Sequence, residues 1–171
     1  ESIDELQGVV RGQHLLNEPS NPPNLLRYYS FNNDLTDSSS SSKDAFIGIE
    51  SDFDPILHST GGRFGGYLSI IDHGGGQSAS SYITVGDGID LDFGSDKAYT
   101  VSFWYRTSEI QSGDPLIIGN KNWASGGNPG WLISADEGGN NSFGSNLASS
   151  SVDRVDVEDL DYDTNEWWFV A

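Results

Sequence analysis

The sequence predicts an all-β protein, built as an antiparallel sandwich or jelly roll. Three observations indicate this class: many short apolar and aromatic runs, polar turns between them, and 21 glycines with no convincing internal helix pattern. Asp-Gly, Gly-Gly and Asn-Pro-Gly turn signals recur between the runs, as expected of short antiparallel strands. The 171 residues fit one domain that is long enough to bury a sizeable core.

The first 23 residues differ from the rest of the chain. Apolar side chains in residues 3–10 are spaced like one face of a short helix, and Pro22 and Pro23 then indicate an extended linker. We therefore predict that residues 1–23 form a helical or extended connector. Residues 24–171 are predicted to form the jelly-roll domain.

The predicted strands follow one another from residue 25 onward. They are residues 25–31, 45–49, 61–71, 81–86, 98–107, 115–120, 130–135, 154–160 and 166–171. The run 98–107 alternates most clearly, so the odd positions 99–105 are predicted to share one face and the even positions 100–106 the other. Because the chain ends inside an apolar run, we expect missing C-terminal strands to be supplied by a following segment or a second chain.

The charge of the chain limits the classes of partner. The net charge is −18, from 26 acidic and 8 basic residues. This excess disfavours nucleic acid and anionic membranes and is compatible with divalent cations, although adaptation to salt explains it equally well. The sequence has no cysteine, which excludes disulfides and a cysteine nucleophile, and it has no apolar run long enough to be inserted in a membrane.

Four motifs occur in a characteristic order along the chain. They are LLRYYSFNNDLTDSSSS at residues 25–41, GGRFGGYLSI followed by SYITVG, YTVSFWYRT at residues 99–107, and EWWFVA at residues 166–171. Together they resemble the laminin-G-like, concanavalin A-like lectin/glucanase superfamily, with Trp168 and Phe169 where histidines are common in that family. The resemblance covers roughly residues 24–171. It implies a jelly roll of two curved antiparallel sheets, and glycan or protein binding more often than catalysis.

One loop near the start of the domain offers oxygen ligands for calcium. Calcium takes six to eight oxygens from carboxylates, amides and carbonyls, and Asn33, Asp34 and Asp37 lie within the sequence NNDLTDSS. The resemblance adds weight, because related domains often hold calcium near this loop. A turn in which these side chains bond their own backbone explains the same residues. We expect a structural calcium here.

A second loop carries residue types that suit sugar binding. A saccharide needs a flat aromatic platform beside polar groups that satisfy its hydroxyls. The candidate ligand-binding residues are Asn120, Lys121, Asn122, Trp123 and Asn128, with Trp104 on the polar-facing side of its strand. Trp123 is expected to be exposed because loops lie on the surface, whereas Trp131 opens a strand and is expected to be a core residue. Loop stabilisation by the amides, and core packing of Trp104, are the alternatives.

Catalysis has little support in the sequence. The glutamate pattern of the superfamily's glycosidases, Glu-x-Asp-x-x-Glu, is absent, and no Gly-x-Ser-x-Gly nucleophile elbow is present. We therefore expect a non-catalytic, extracellular or surface-attached carbohydrate-binding module, stabilised by calcium and appended to a larger protein. A structural or protein-interaction module of an adhesin, and a truncated part of a glycan-active hydrolase, are the two alternatives.

Overall fold

The structure is a computed structural model that describes residues 24–48, 54–70, 81–86, 91–93, 97–109, 115–121, 128–135, 142–149 and 153–171. Within these ranges the chain has ten β-strands and no α-helix, and every strand pairing is antiparallel. The predicted all-β class is therefore confirmed. The predicted connector at residues 1–23 lies outside the described residues. The chain divides into two compact units, Glu1–Asp87 and Gly88–Ala171.

The first unit has four short strands: β1 (Ala45–Ile47), β2 (Ile56–His58), β3 (Tyr67–Ser69) and β4 (Ile83–Val85). They form two antiparallel pairs, β1 with β4 and β2 with β3. His58 lies opposite Tyr67, and their rings stack with centroids 4.3 Å apart. Strand β2 was not predicted, since a run of three residues after a proline gives little periodicity to detect.

Residues 25–31 differ from their predicted strand. They form only an isolated antiparallel bridge, between Tyr29 and Asp37. The backbone then turns through left-handed conformations at Phe31 (φ 53°) and Asn33 (φ 143°). A regular strand needs negative φ angles, so these positive values end the extended segment.

The second unit has six strands: β5 (Phe103–Tyr105), β6 (Leu116–Gly119), β7 (Gly130–Ala135), β8 (Ser142–Ala148), β9 (Arg154–Asp161) and β10 (Trp168–Val170). Strands β6 to β9 form an antiparallel sheet in chain order, and β5 pairs with β10. Strand β8 was not predicted, since its sequence SFGSNLA lacks the apolar alternation of a half-buried strand.

The core of the second unit lies between the β5–β10 pair and the four-stranded sheet. Its buried members are Ala135, Phe143, Tyr162 and Val170, and Phe103, Tyr105, Ile117 and Trp168 pack against them. The rings of Phe143 and Tyr162 lie 4.8 Å apart, and Tyr105 meets both edge-on at 5.3 and 5.6 Å. Aromatic packing of this kind adds about 0.5–1.5 kcal/mol per pair beyond the buried area.

Residues 99–106 alternate as predicted. The odd positions are partly buried and the even positions are exposed. Successive side chains of an extended segment point to opposite faces, so the even positions face outward when the odd positions face the core. Trp104 therefore points away from the core. No helix in the described residues has the length and apolar character needed to cross a membrane.

Candidate functional site

An exposed pair of aromatic rings lies on the outer face of β5 and β10. Trp104 and Phe169 are direct partners in the antiparallel register. Their side chains are 38% and 57% exposed, and their ring centroids lie 5.4 Å apart at an interplanar angle of 46°. The residues on either side, among them Phe103 and Val170, pack into the core. Core packing of the inner face thus holds both outer rings in place.

Polar side chains accompany these rings along the same segment. Thr100, Ser102 and Arg106 occupy the other exposed even positions. Hydroxyls both donate and accept hydrogen bonds, and a guanidinium offers five donors. Two apolar ring surfaces with hydrogen-bonding groups beside them match the chemistry of a sugar, which has apolar C–H faces and a hydroxyl rim.

Phe169 was missed by sequence reasoning, which compared residues 166–171 with a histidine-containing motif. A period-two pattern was available in Trp168, Phe169 and Val170. Trp168 and Val170 pack at the core, and Phe169 between them faces outward. A comparison of the alternation at residues 168–170 with the alternation around Trp104 would have predicted that Trp104 and Phe169 both face outward.

The amide-rich loop uses its first residues for internal contacts. Asn120 donates from Nδ2 to the carbonyl oxygen of Leu91 at 3.3 Å and accepts from the backbone N–H of Trp131 at 2.9 Å. Lys121 is buried, and its Nζ donates to Oδ1 of Asn146. Both side chains thus brace the end of β6.

The remaining candidates of this loop are only partly described. Asn128 is partly buried, and Asn122 and Trp123 lie outside the described residues. Ligand binding by the loop therefore stays a prediction. The described candidates fall into two clusters: Trp104 with Phe169, and Asn120 with Lys121 beside β7 and β8.

Trp131 is a core residue, as predicted. Its side chain is 7% exposed, and its Nε1 donates to the carbonyl oxygen of Leu91 at 3.2 Å. The ring centroid lies 6.2 Å from that of Phe93 and 5.8 Å from that of Tyr99. A buried indole needs a partner for its N–H, and the Leu91 carbonyl supplies one.

In the predicted calcium loop, Asp37 acts as a bracing residue. Its side chain is 3% exposed. Oδ1 accepts hydrogen bonds from the backbone N–H groups of Tyr28 at 3.0 Å and Ser39 at 2.9 Å. Oδ2 accepts from the Ser41 hydroxyl at 2.9 Å and from the Lys43 N–H at 3.0 Å. Four donors from the chain itself therefore surround this carboxylate.

The protonation of Asp37 follows from these contacts. Burial alone would raise the pKa of this carboxyl. The hydrogen bonds from the backbone of Tyr28, Ser39 and Lys43, and from the side chain of Ser39, outweigh burial and hold the pKa well below its usual range. Asp37 is thus a charged, internally satisfied brace between residue 28 and the serine-rich loop.

The other two predicted calcium ligands are exposed. Asp34 accepts the backbone N–H of Thr36 at 3.0 Å, which closes a local turn, and Asn33 has a positive φ. No group of three or more acidic or histidine side chains suited to a metal ion occurs among the described residues. A cation at Asp37 would compete with four hydrogen bonds from the chain. Calcium binding at Asn33, Asp34 and Asp37 stays a prediction.

Comparisons of the chain with protein-family models, with curated proteins and with solved structures found no match. The likeness to laminin-G-like domains therefore stays an inference from four sequence motifs. Among the described side chains, the outward-facing rings of Trp104 and Phe169 form the candidate site.

Proposed function

We propose that this chain is a non-catalytic glycan-binding module, in which Trp104 and Phe169 form the platform for a sugar ring. The observation that carries the proposal is the exposed, in-register pair itself, with ring centroids 5.4 Å apart. An isolated exposed apolar residue is ordinary on a protein surface. Two adjoining rings held by a packed core, with Arg106 and hydroxyl groups along the same extended segment, form a preorganised surface for C–H and hydroxyl contacts.

The proposed aromatic platform is expected to bind a sugar weakly. Two rings cover only part of one sugar face, and few polar groups are available to fix its orientation. We therefore expect weak binding by a single site, with a Kd of about 1 mM, which corresponds to about −4 kcal/mol. Several copies of the module on one larger protein would raise the apparent affinity for a polysaccharide through effective concentration.

The proposed architecture is a jelly-roll β-sandwich of the concanavalin A-like kind. It is supported by the antiparallel sheets of the second unit, which pack on each other through Phe143 and Tyr162. The four sequence motifs and the net charge of −18 support an extracellular or surface-attached module of a larger protein. The proposal includes calcium as a stabilising ion.

Polysaccharide affinity electrophoresis tests the proposal. Retardation by at least one neutral or acidic glycan is expected for the natural chain, and Trp104→Ala and Phe169→Ala should each weaken it. Phe64→Ala is the matched control, since Phe64 is an aromatic residue of the first unit that is 51% exposed. Equal retardation of all four proteins in every retarding glycan would overturn the assignment of the platform.

A protein-interaction module is the second candidate, because the second unit exposes an apolar patch. Leu147, Val155 and Val157 are 45%, 59% and 61% exposed, and the register places them on one face of β8 and β9. Exposed patches of this type are common at protein contacts. The Val157→Ser variant distinguishes the two candidate functions. It should leave glycan retardation unchanged, and it should weaken capture of a protein partner if the patch is a protein contact.

A further inference from the structure

Lys121, Asn146 and Asp156 form a continuous line of side chains along one face of the four-stranded sheet. Lys121 Nζ donates to Asn146 Oδ1, and Asn146 Nδ2 donates to Asp156 Oδ1 at 2.5 Å. The side chains of Lys121 and Asn146 are 9% and 2% exposed, so the amine and the carboxamide meet away from water. Asp156 is exposed and lies opposite Asn146 in the register of β8 and β9.

This burial of a lysine is unusual. Lysine is among the side chains least often buried, because an ammonium group loses its hydration. In Lys121 the amine end contacts an amide, and the carboxylate of Asp156 lies at the far side of that same amide. The arrangement thus points to chemistry between the amine and the amide.

The sheet provides a path for the lysine side chain. Lys121 follows β6 and Asn146 lies on β8, so the side chain crosses β7. Gly130 lies on that path: a Cβ built there would be 2.7 Å from the Cβ of Lys121. Neighbouring strands are about 4.8 Å apart, so the contact bridges roughly two strand spacings. A glycine at position 130 leaves the room that this crossing needs.

We propose that Lys121 and Asn146 join in an intramolecular isopeptide bond, with Asp156 as the proton carrier. The proposal does not depend on glycan binding. It assigns a covalent link between the end of β6 and the middle of β8, in a chain whose sequence has no cysteine for a disulfide. Like a disulfide, such a link would restrict the unfolded chain more than the folded one.

The reaction is a transamidation that needs no oxidant and no cofactor. The nucleophile in such a step is the neutral amine of Lys121, which attacks the carboxamide carbon Cγ of Asn146. The Nζ–Cγ bond forms, the Cγ–Nδ2 bond breaks, and the nitrogen of the asparagine amide leaves as ammonia. The carboxylate of Asp156 is hydrogen-bonded to that leaving nitrogen. Once the Nζ–Cγ bond has formed, Nζ and Nδ2 are attached to the same carbon, so this carboxylate can take the proton from Nζ and deliver it to Nδ2. Lysine ammonium plus carboxamide gives the secondary amide plus ammonium, so atoms and charge balance.

Mass spectrometry of the folded, purified full chain tests the proposal. The intact mass should be about 17 Da below the sequence mass, because one ammonia is lost. Proteolysis should then release a branched peptide that joins the segments containing Lys121 and Asn146. The branched peptide is the decisive readout, since an asparagine succinimide elsewhere gives the same mass loss without a branch.

Three variants assign the roles. Lys121→Arg keeps the charge and lacks the nucleophile, and Asn146→Ala lacks the leaving amide, so both should show the full sequence mass. Asp156→Ala should accumulate the link at least tenfold more slowly. Lys97→Arg is the control, because Lys97 is exposed, and it should keep the mass loss. A natural chain with the full sequence mass, or a mass loss without a branched peptide, overturns the proposal whether or not the variants fold.

Discussion

The carboxylate of Asp37 accepts the backbone N–H of Tyr28 at 3.0 Å, nine residues earlier in the chain. The same carboxylate accepts the N–H of Lys43 at 3.0 Å, six residues later. One side chain therefore joins three segments that form no regular strand with one another. Because a carboxylate that accepts several backbone hydrogen bonds prefers its charged form, this brace depends on pH.

Asp37→Asn is expected to destabilise the folded chain at pH 7 by about 1–3 kcal/mol. The substitution replaces one carboxylate oxygen, which accepts hydrogen bonds, with an NH2 group whose hydrogens would face the surrounding hydrogen-bond donors. The folded-state pKa of Asp37 is depressed. Its contribution is therefore fully present above the unfolded pKa of about 4 and is lost as pH falls below that value. Urea denaturation at pH 7, 5 and 3 should show a difference between the two proteins that shrinks at low pH.

Asp34→Asn is the matched control for that series, because Asp34 is exposed and accepts a single local hydrogen bond. Its cost at pH 7 is expected to be within about 0.5 kcal/mol. A difference between the natural chain and Asp37→Asn that stays constant from pH 7 to pH 3 would refute the charged brace.

Calcium is expected to raise the melting temperature, because an ion that binds only the folded state stabilises it by mass action. The measurement is a thermal melt in EDTA and at increasing calcium, with magnesium at equal ionic strength as the control. The double variant Asn33→Ala/Asp34→Ala should lose the calcium response while it keeps the Asp37 brace. Melting temperatures that are identical in calcium and EDTA would rule out a structural calcium.

The aromatic core of the second unit is expected to dominate its stability. Phe143 is 6% exposed and contacts Tyr105 and Tyr162, so Phe143→Ala should cost about 3–5 kcal/mol. Leu147→Ala on the same strand is the control: Leu147 is 45% exposed, and its cost should stay below about 1 kcal/mol. Chemical denaturation followed by tryptophan fluorescence measures both. Equal costs would contradict the placement of the core.

The parts of the fold that were predictable are those where apolar side chains alternate or open a strand. The alternation of residues 99–106 correctly placed Trp104 on the exposed face, and Trp131 was correctly assigned to the core. Strand β8 escaped prediction for a physical reason. Its buried positions include Ser142, Gly144 and Asn146, which carry no apolar periodicity. Their burial is set by the partner strands and not by their own hydrophobicity.

The described site residues were only partly predictable, because burial depends on contacts that are remote in sequence. Lys121 was predicted as a ligand-binding residue of the amide-rich loop, and that role stays a prediction; its burial against Asn146, 25 residues further along, was not predicted. Phe169 belongs to the candidate site because it pairs with Trp104, which lies in a distant part of the chain. Contacts between residues this far apart in sequence are decided by tertiary packing, and the local sequence pattern does not reveal them.

The most direct test of the central claim is a calorimetric titration of a retarding glycan into the natural chain, Trp104→Ala, Phe169→Ala and the double variant. If the two rings form one platform, each single variant should weaken binding by about fivefold or more, which is about 1 kcal/mol. The double variant should then lose less than the sum of the two, because residues that share a contact are not additive. Affinity that is unchanged in both single variants would contradict the account.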